Sequence, residues 1–304
     1  MENYITLDAM TSPDPTEPHH RPPPASLDAL LPAEIAHRAE SIGTAKAQMD
    51  GVQLFTLAIL GGAFIGLGAM VATVTWTGAD GVMPFGPTRV LGGVVFSLGL
   101  ILVVLGGAEL FTGNNLMVMA WAGRRITTAA LLRAWGIVFA GNLVGAVGTA
   151  LLVFLGGDYL LAGGATGKVA LAIGEAKTTL SFMPAFFLGI LCNILVCLAV
   201  WICYGAHTTT DKVLAILFPV AAFVAAGFEH SVANMYFIPK AIMILRWAPA
   251  EFWSAAGVSP ADYPALGLDD LVANLIPVTL GNIVGGGGFV GLVYWFIYLR
   301  RSKN

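Results

Sequence analysis

Long apolar segments dominate this sequence and restrict what it can fold into. Six of them follow one another, at residues 51–75, 90–121, 131–155, 182–206, 213–247 and 271–299. A helix needs about 20 apolar residues to cross the hydrocarbon of a bilayer. The 304-residue chain is 57% hydrophobic and only 11% charged, whereas soluble domains carry about 25% charged residues. We therefore predict an all-α integral membrane protein with six transmembrane helices.

Two of the apolar segments are interrupted by acidic and polar residues. Residues 109–115 interrupt the second segment, and residues 228–234, which include Glu229 and His230, interrupt the fifth. A charged side chain at the centre of a bilayer costs about 2.5–3.5 kcal/mol on insertion scales, and such residues usually mark a substrate or proton path. We expect spans two and five to be broken helices, with His230 at the functional centre.

The two halves of the chain resemble each other. Residues 141–145 (Gly-Asn-Leu-Val-Gly) in span three parallel residues 281–285 (Gly-Asn-Ile-Val-Gly) in span six, and the acid-led break 109–114 parallels 229–234. With three spans in each half, the second half enters the membrane in the opposite sense. This predicts a 3+3 inverted repeat, with a site near the bilayer midplane where the helices are discontinuous.

Basic residues predict the orientation, because an even number of spans puts both termini on one side. One face carries Arg124, Arg125, Arg133, Lys212, Arg300, Arg301 and Lys303, joined by Arg21, Arg38 and Lys46. The other face carries Arg89, Lys168, Lys177, Lys240 and Arg246. The positive-inside rule places both termini in the cytoplasm.

The segments outside the spans have their own character. Residues 1–31, rich in Pro, Asp, Thr and His, predict a disordered cytoplasmic tail, and residues 301–304 form a short cytoplasmic C-terminal tail. Residues 32–50 predict an amphipathic helix at the membrane surface. The membrane domain covers residues 51–300, and within it the connection 156–179, which contains glycine pairs, is expected to be a loop.

Each polar residue of the breaks has a structural and a functional interpretation. Asn142 and Asn282 can hydrogen-bond backbone groups freed by the breaks, or they can face a site. We expect Glu109 to be a buried structural acceptor and Glu229 to orient His230. A neutral imidazole gives and takes protons near neutral pH, which favours a functional role for His230.

Other functional classes fit less well. The zinc motif His-Glu-x-x-His is absent, and no second His or Cys lies at ligand spacing from His230. We expect no enzyme, no catalytic residue, no cofactor and no metal. Cys192, Cys197 and Cys203 are expected to pack as small hydrophobes. The twin Asn-Pro-Ala breaks of water channels are missing, and a purely structural or signalling protein would not need two broken helices that converge on a histidine.

Several longer motifs resemble the formate–nitrite transporter family over residues 33–300. They are residues 109–112 (Glu-Leu-Phe-Thr), 227–235 (Gly-Phe-Glu-His-Ser-Val-Ala-Asn-Met), 274–285 and 294–299, with 98–102, 192–201 and 211–212 most similar to the formate branch. The resemblance implies an aquaporin-like fold, one pore per subunit and a homopentamer in the bacterial inner membrane. It also implies transport of a small monovalent anion. Formate is the first choice, with nitrite, hydrosulfide, lactate or acetate as alternatives, and no nucleic acid is involved.

The resemblance also implies roles for individual residues. His230 matches the pore histidine, and Thr112 matches the threonine that faces it. Asn193 and Asn282 match pore-facing asparagines, and Lys177 matches a lysine of the outer vestibule. Two apolar constrictions, one on each side of the histidine, are assigned to Phe96, Leu100, Leu110, Val196 and Phe223. The Gly-Asn-Asn sequence after Thr112 differs from the formate-branch members.

The physical task is to move an anion through an apolar constriction. Formate, like other carboxylic acids, has a pKa of about 4, so very little of it is neutral at pH 7. Our hypothesis is that a His230 imidazolium gives its proton to the anion, while Thr112 hydrogen-bonds both, so that a neutral acid crosses. In the competing version His230 stays neutral and only donates a hydrogen bond to the anion.

Overall fold

The computed structural model describes residues 28–300, and within this part of the chain every regular element is helical and no β-strand occurs. The α-helices are α1 (Pro32–Gln48), α2 (Gly51–Trp76), α3 (Phe85–Gly106), α4 (Val118–Ala122), α5 (Thr128–Leu155), α6 (Ala165–Thr178), α7 (Phe182–Gly205), α8 (Thr209–Ala225), α9 (Ser231–Trp247), α10 (Ala250–Ala256), α11 (Leu268–Asn282) and α12 (Val293–Tyr298). The expected tail at residues 1–31 falls almost wholly, and that at 301–304 entirely, outside the described residues.

Shorter elements connect some of these helices. Three 3₁₀ turns occupy Gly113–Met117, Asp158–Gly164 and Pro260–Asp262. A π-helical segment, Ile283–Leu292, joins α11 to α12, so that the chain is helical without interruption over Leu268–Tyr298. π-helical turns inside α-helices are often found at functional sites.

Five helical runs in the described part are long and apolar enough to cross a membrane. They are α2, α3, α5, α7 and Leu268–Tyr298, with lengths of 26, 22, 28, 24 and 31 residues. Helices α8 and α9 have 17 residues each. Such a helix is about 25 Å long at about 1.5 Å per residue, so it falls short of the roughly 30 Å hydrocarbon core.

An aspartate fixes the start of α2. The Asp50 carboxylate accepts hydrogen bonds from the amides of Val52 at 2.9 Å and Gln53 at 3.2 Å. Both hydrogen bonds stabilise the charged carboxylate and so lower the pKa of Asp50, and the bond from Gln53 has the larger effect. The cap is therefore present at neutral pH and is lost only as the pH falls through this lowered pKa.

Glycines end the two helices that precede the breaks. Gly107 follows α3 and Gly227 follows α8, and both have φ of +74°. L side chains are strained in this left-handed region, whereas glycine is not. Each glycine stands two residues before the glutamate of its break, Glu109 or Glu229. The two breaks therefore begin with the same change of chain direction.

The connection 156–179 is not a loop, and that expectation was wrong. Most of it forms α6, which packs along α9. A Cβ atom on Gly167 would overlap the ring of Phe252, and one on Gly174 would overlap the Ala241 methyl group. These glycines serve close helix packing rather than chain reversal, and composition alone does not separate the two uses.

A buried ion pair holds the turn before α6. Lys240 of α9 is 2% exposed and pairs with Asp158 of the turn. A buried charge is costly unless it is paired. The pair therefore ties this connection to α9.

Helix α1 packs against the rest of the protein through one apolar face. Ile35, Ala36 and Ala39 are buried against Met119 and Trp201, among others. The helix therefore lies across the end of α7 and beside α4.

Two helix crossings depend on glycine in the same way. Helix α2 crosses α5, and α7 crosses α11 and the π-helical segment that continues it. A Cβ on Gly145 would overlap the carbonyl oxygen of Ile59, and a Cβ on Gly285 would overlap that of Ile190. A Cβ on the glycine four residues earlier, Gly141 or Gly281, would likewise crowd a backbone carbonyl oxygen of the facing helix. These small-x-x-x-small pairs let the backbones touch.

We predict that Gly145→Ala lowers the free energy of unfolding by about 1–3 kcal/mol, because overpacking forces the two helices apart. Gly148→Ala is the matched control, since it lies on the same helix with no atom within 4 Å of the added Cβ. Thermal unfolding of the detergent-solubilised protein measures both. Equal stability of the two variants would contradict the close crossing.

Candidate functional site

The breaks that follow α3 and α8 meet each other. The first break ends at Thr112 and the second at His230, the residue that caps α9. The Thr112 hydroxyl oxygen lies 2.9 Å from His230 Nε2, and the two residues are only 0% and 3% exposed. This hydrogen bond joins the two halves of the chain at the point where both are non-helical.

An asparagine stabilises the first break. Asn142 accepts a hydrogen bond from the amide of Phe111 at 2.8 Å. It donates to the carbonyl oxygens of Ala58 at 2.7 Å and Glu109 at 2.8 Å. Unpaired amides in an apolar medium cost several kcal/mol each. One side chain thus satisfies three backbone groups.

Asn282 does the same for the second break. It accepts from the amide of Ser231 at 2.9 Å and donates to the carbonyl oxygens of Gly189 at 2.8 Å and Glu229 at 3.0 Å. The partners correspond one by one to those of Asn142. The geometry therefore agrees with the structural interpretation of both asparagines.

Asn193 was expected to face the pore; in the structure its side chain links the first break to α11. Its side-chain nitrogen lies 2.7 Å from the carbonyl oxygen of Asn282, 2.9 Å from Asn115 Oδ1 and 3.2 Å from the carbonyl oxygen of Thr112. In the described part of the chain, neither Asn193 nor Asn282 lines the cavities given below. Buried amides are usually satisfied inside the protein, and here backbone groups use them.

The hydrogen bonds of His230 indicate which ring nitrogen carries the proton. The amide of Ala233 donates to Nδ1 at 3.1 Å, so Nδ1 has no proton in this arrangement. In the neutral ring the proton is then on Nε2, which donates to Thr112. A cation at this position would also face the N-terminus of α9, where the helix dipole disfavours positive charge. The geometry therefore favours the neutral version of the hypothesis.

The carboxylate of Glu229 makes no hydrogen bond to the imidazole of His230. Its two oxygens accept from Lys177 Nζ at 2.9 Å and from the side chain of Asn234 at 2.6 Å. Asn234 also donates to Asn274, whose amide donates to the carbonyl of Lys177. The expectation that Glu229 orients His230 is therefore not supported by a direct hydrogen bond, because the carboxylate is held by Lys177 of α6 and Asn234 of α9.

The first break carries an equivalent cluster. Glu109 accepts from Lys46 Nζ at 2.9 Å and from the side chain of Asn114 at 2.7 Å, and Lys46 also donates to Asn114 at 2.7 Å. Lys46 belongs to α1, as Lys177 belongs to α6. In each break the glutamate is thus a paired, buried acceptor.

Two cavities open on opposite sides of the Thr112–His230 contact. The Lys177 vestibule, of about 280 Å³, is lined by Lys177, Glu229, Arg89 and several aromatic rings. The Lys46 vestibule, of about 220 Å³, is lined by Lys46, Glu109 and aliphatic side chains. Each vestibule therefore contains one of the lysine–glutamate pairs.

A small central cavity of about 10 Å³ lies between them. It is lined by Ile65, Phe96, Leu100, Leu110, Val196, Val220, Phe223 and His230. Phe96, Phe223 and His230 also line the Lys177 vestibule, and Leu100 and Leu110 also line the Lys46 vestibule. A space of this size holds about one water molecule. All five residues expected at the constrictions are therefore around one narrow, mostly apolar passage.

Comparison with known proteins agrees with this architecture. The sequence profile of the Formate/nitrite transporter family matches residues 33–296. The chain is 48% identical over 279 residues to the formate channel FocA of Escherichia coli, with 91% of this chain and 98% of FocA covered. It is 44% identical to FocA of Haemophilus influenzae, with 87% and 93% covered.

The chain belongs to the formate/nitrite transporter family. A solved pentameric formate channel with formate bound superposes with a TM-score of 0.77 at 45% identity, covering 82% of this chain and 98% of that one. A second solved structure, an ion channel of the same family, superposes with a TM-score of 0.74 at 30% identity, covering 87% and 98%. The relatives in this family are channels and transporters rather than enzymes.

Some residues of this family member escaped the sequence analysis. The pairing of Asn114 and Asn234 with the glutamates has a signal, because glutamate and asparagine are five residues apart in both breaks. Lys46 has none, because it lies in α1, outside both halves of the repeat. Its contact with Glu109 depends on how α1 packs.

We predict that Asn282→Ala lowers the free energy of unfolding by about 3 kcal/mol or more, because three buried backbone groups lose their partner at about 1–3 kcal/mol each. Thr279→Val is the control one turn earlier in α11. The Thr279 hydroxyl is buried without a hydrogen-bond partner in the described residues, so its removal should leave the free energy of unfolding nearly unchanged. Thermal unfolding in detergent measures both. An Asn282→Ala protein of normal stability with altered transport would support a pore role instead.

Proposed function

We propose that this protein is a formate channel of the bacterial inner membrane, with one pore in each subunit of a homopentamer. The observation that carries the proposal is the Thr112–His230 hydrogen bond beside an apolar passage that separates two vestibules. The similarity to FocA over 98% of its length and to a solved pentameric formate channel supports formate and the pentamer. Apolar side chains exposed along the helical run Leu268–Tyr298, among them Ile276, Phe289 and Phe296, suit contact with lipid or with another subunit.

The pore in this proposal is formed by a 3+3 inverted repeat with six spans. Span two consists of α3, its break and α4, and span five consists of α8, its break and α9. The paired hydrogen bonds of Asn142 and Asn282 support it, as do the paired glycine contacts. The central cavity adds further support, because its lining includes the equivalent pairs Ile65 with Val196 and Leu110 with His230.

The proposed orientation follows from the charges. Both termini are cytoplasmic by the positive-inside rule, so the Lys46 vestibule faces the cytoplasm and the Lys177 vestibule faces outward. Helix α1 packs beside the Lys46 vestibule through Ile42 and Lys46. The membrane domain then covers residues 51–300, preceded by the N-terminal helix at 32–50.

In the proposed mechanism the neutral His230 ring acts as a hydrogen-bond donor. Removing an anion from water costs several kcal/mol, and Phe96 and Phe223 cannot offset this cost. His230 lines the passage, and its Nε2–H group would have to turn from Thr112 to the anion, which would leave the Thr112 hydroxyl free to donate as well. A proton-coupled version needs a proton on Nδ1, which would break the bond from the Ala233 amide.

Reconstitution in proteoliposomes tests the proposed function. We expect formate to enter vesicles that contain the purified protein faster than nitrite does, at acidic and at neutral pH, with empty vesicles as the control. Internal pH is followed at the same time, because acidification that accompanies formate would show proton co-transport. Nitrite entry with little formate entry would overturn formate as the substrate. Absence of flux of either anion through folded protein would overturn the proposal.

Two substitutions at His230 test the mechanism. His230→Asn keeps an oxygen that can cap α9 and a nitrogen that can donate to Thr112, whereas His230→Phe removes both. Losing one hydrogen bond to a charged group costs about 1.5–3 kcal/mol, which corresponds to about ten- to hundredfold in rate. We expect His230→Phe to lose that much formate flux and His230→Asn to lose less than about tenfold.

The two variants also separate the two versions of the mechanism. If His230→Asn loses as much flux as His230→Phe while both proteins fold, a titratable ring is required. That outcome would contradict the neutral-donor mechanism and favour the imidazolium as proton donor.

A further inference from the structure

Arg89 stands apart from the other charged residues of the pore. It lies in the first turns of α3 and lines the Lys177 vestibule. Its guanidinium donates to the carbonyl oxygens of Val224 at 2.7 Å and Ala225 at 3.4 Å, and it lies 5.1 Å from the ring of Trp76. It is half-buried and held at the end of α8, beside the second break.

The charge of Arg89 is not compensated by a nearby acid. The ionisable residues that line this vestibule are Arg89, Lys177, Glu229 and His230. Lys177 and Glu229 are paired at 2.9 Å, so their charges largely cancel for an approaching ion. Among residues 28–300, no carboxylate lies within ion-pair distance of Arg89. Its contacts are with neutral carbonyls and an indole.

The Lys46 vestibule has no equivalent cation. Its charged lining residues are Lys46 and Glu109, which are paired with each other. Of the two vestibules in the described part of the chain, only the Lys177 vestibule therefore carries a net positive charge.

We propose that Arg89, rather than Lys177, is the anion-docking residue of the Lys177 vestibule, and that it binds small monocarboxylates before they reach Phe96 and Phe223. A guanidinium has five N–H donors, and the contacts with Val224 and Ala225 use two of them. The remaining donors can bind a carboxylate, with which arginine forms strong charge-assisted bonds. A fixed charge in a cleft with low-dielectric walls raises the local anion concentration.

The dimensions of the vestibule extend this site to larger acids. The vestibule has a volume of about 280 Å³ and includes the rings of Trp76, Phe228 and Phe237, whereas the central cavity has about 10 Å³. Ligand pockets are mostly apolar with few polar groups. An aromatic monocarboxylate such as benzoate should therefore bind at Arg89 and block the channel without passing through it.

The first test measures formate entry, so this part rests on the proposed function. Initial rates at low formate concentration are compared at low and high ionic strength, with formate applied to the side of the Lys177 vestibule. We expect Arg89→Gln to lower the rate about tenfold at low ionic strength and to abolish its dependence on salt. Arg89→Lys keeps the charge and should keep most of the rate. If Arg89 only caps α8, the two variants will behave alike, and the proposal fails.

Matched controls use other basic residues of the same face. Lys168 and Arg246 are exposed and do not line the vestibule. Lys168→Gln and Arg246→Gln remove the same charge and should leave the rate and its salt dependence within about twofold. An equal loss in these controls would mean that the overall field of the face, and not a site at Arg89, attracts the anion.

The second test uses benzoate and does not depend on transport. Calorimetric titration of benzoate into the purified protein should show binding to the wild type that weakens about fivefold or more in Arg89→Gln, with thermal unfolding as the check of fold. If the wild type transports no formate but binds benzoate, and Arg89→Gln loses this binding, the proposed function is wrong and the site is right. If formate flux is normal and benzoate binding is absent or unaffected by Arg89→Gln, the site is wrong and the function stands.

Discussion

The architecture depends on satisfying the backbone where two helices stop inside an apolar protein. A break exposes amides and carbonyls that no water reaches, and each unpaired group costs several kcal/mol. Asn142 and Asn282 meet this cost with the same three hydrogen bonds each. The oxygen and the nitrogen of each asparagine side chain bind backbone groups on both sides of the residue that follows the glutamate. They therefore fix the positions of Leu110 and His230. The breaks can therefore be rigid without being helical, and Thr112 can meet His230 at a defined distance.

Charge pairing weakens the attraction of the two lysines for an anion at a distance. Lys46 and Lys177 lie beside the passage, but each one is bound to a glutamate that is itself held by an asparagine. A lysine–glutamate pair presents a dipole to an ion at a distance, and its attraction falls off faster than that of a single charge. In the proposed mechanism the lysines would act only at short range, on an ion already in the vestibule. Attraction over a longer range needs an unpaired charge, and Arg89 is the residue of the Lys177 vestibule that has one.

The sequence predicted some of these features and did not predict others, for physical reasons. The meeting of Thr112 and His230 and the narrow passage around Phe96 and Leu110 followed from the polar breaks and the family motifs. The pore-facing position of Asn193 stays a prediction, because a buried amide on an apolar helix looks the same in the sequence whether it faces a pore or a carbonyl, and its side chain contacts backbone carbonyls here. The helix α6 was missed because Gly167 and Gly174 serve close packing, and a glycine pattern does not reveal its partner. Arg89 and Lys46 depend on contacts between distant elements, which no local pattern encodes.

The proposed inverted repeat would explain why the passage has a single polar centre. Leu110 and His230 each follow the glutamate of a break, and both line the central cavity. The next residues, Phe111 and Ser231, donate their amides to Asn142 and Asn282, which fixes the equivalence. One repeat thus places an aliphatic side chain where the other places an imidazole. Two imidazoles would widen the polar zone and admit water, whereas two leucines would remove the imidazole donor and leave only the Thr112 hydroxyl. One residue of each kind keeps the passage narrow and apolar and still provides a hydrogen bond at its centre.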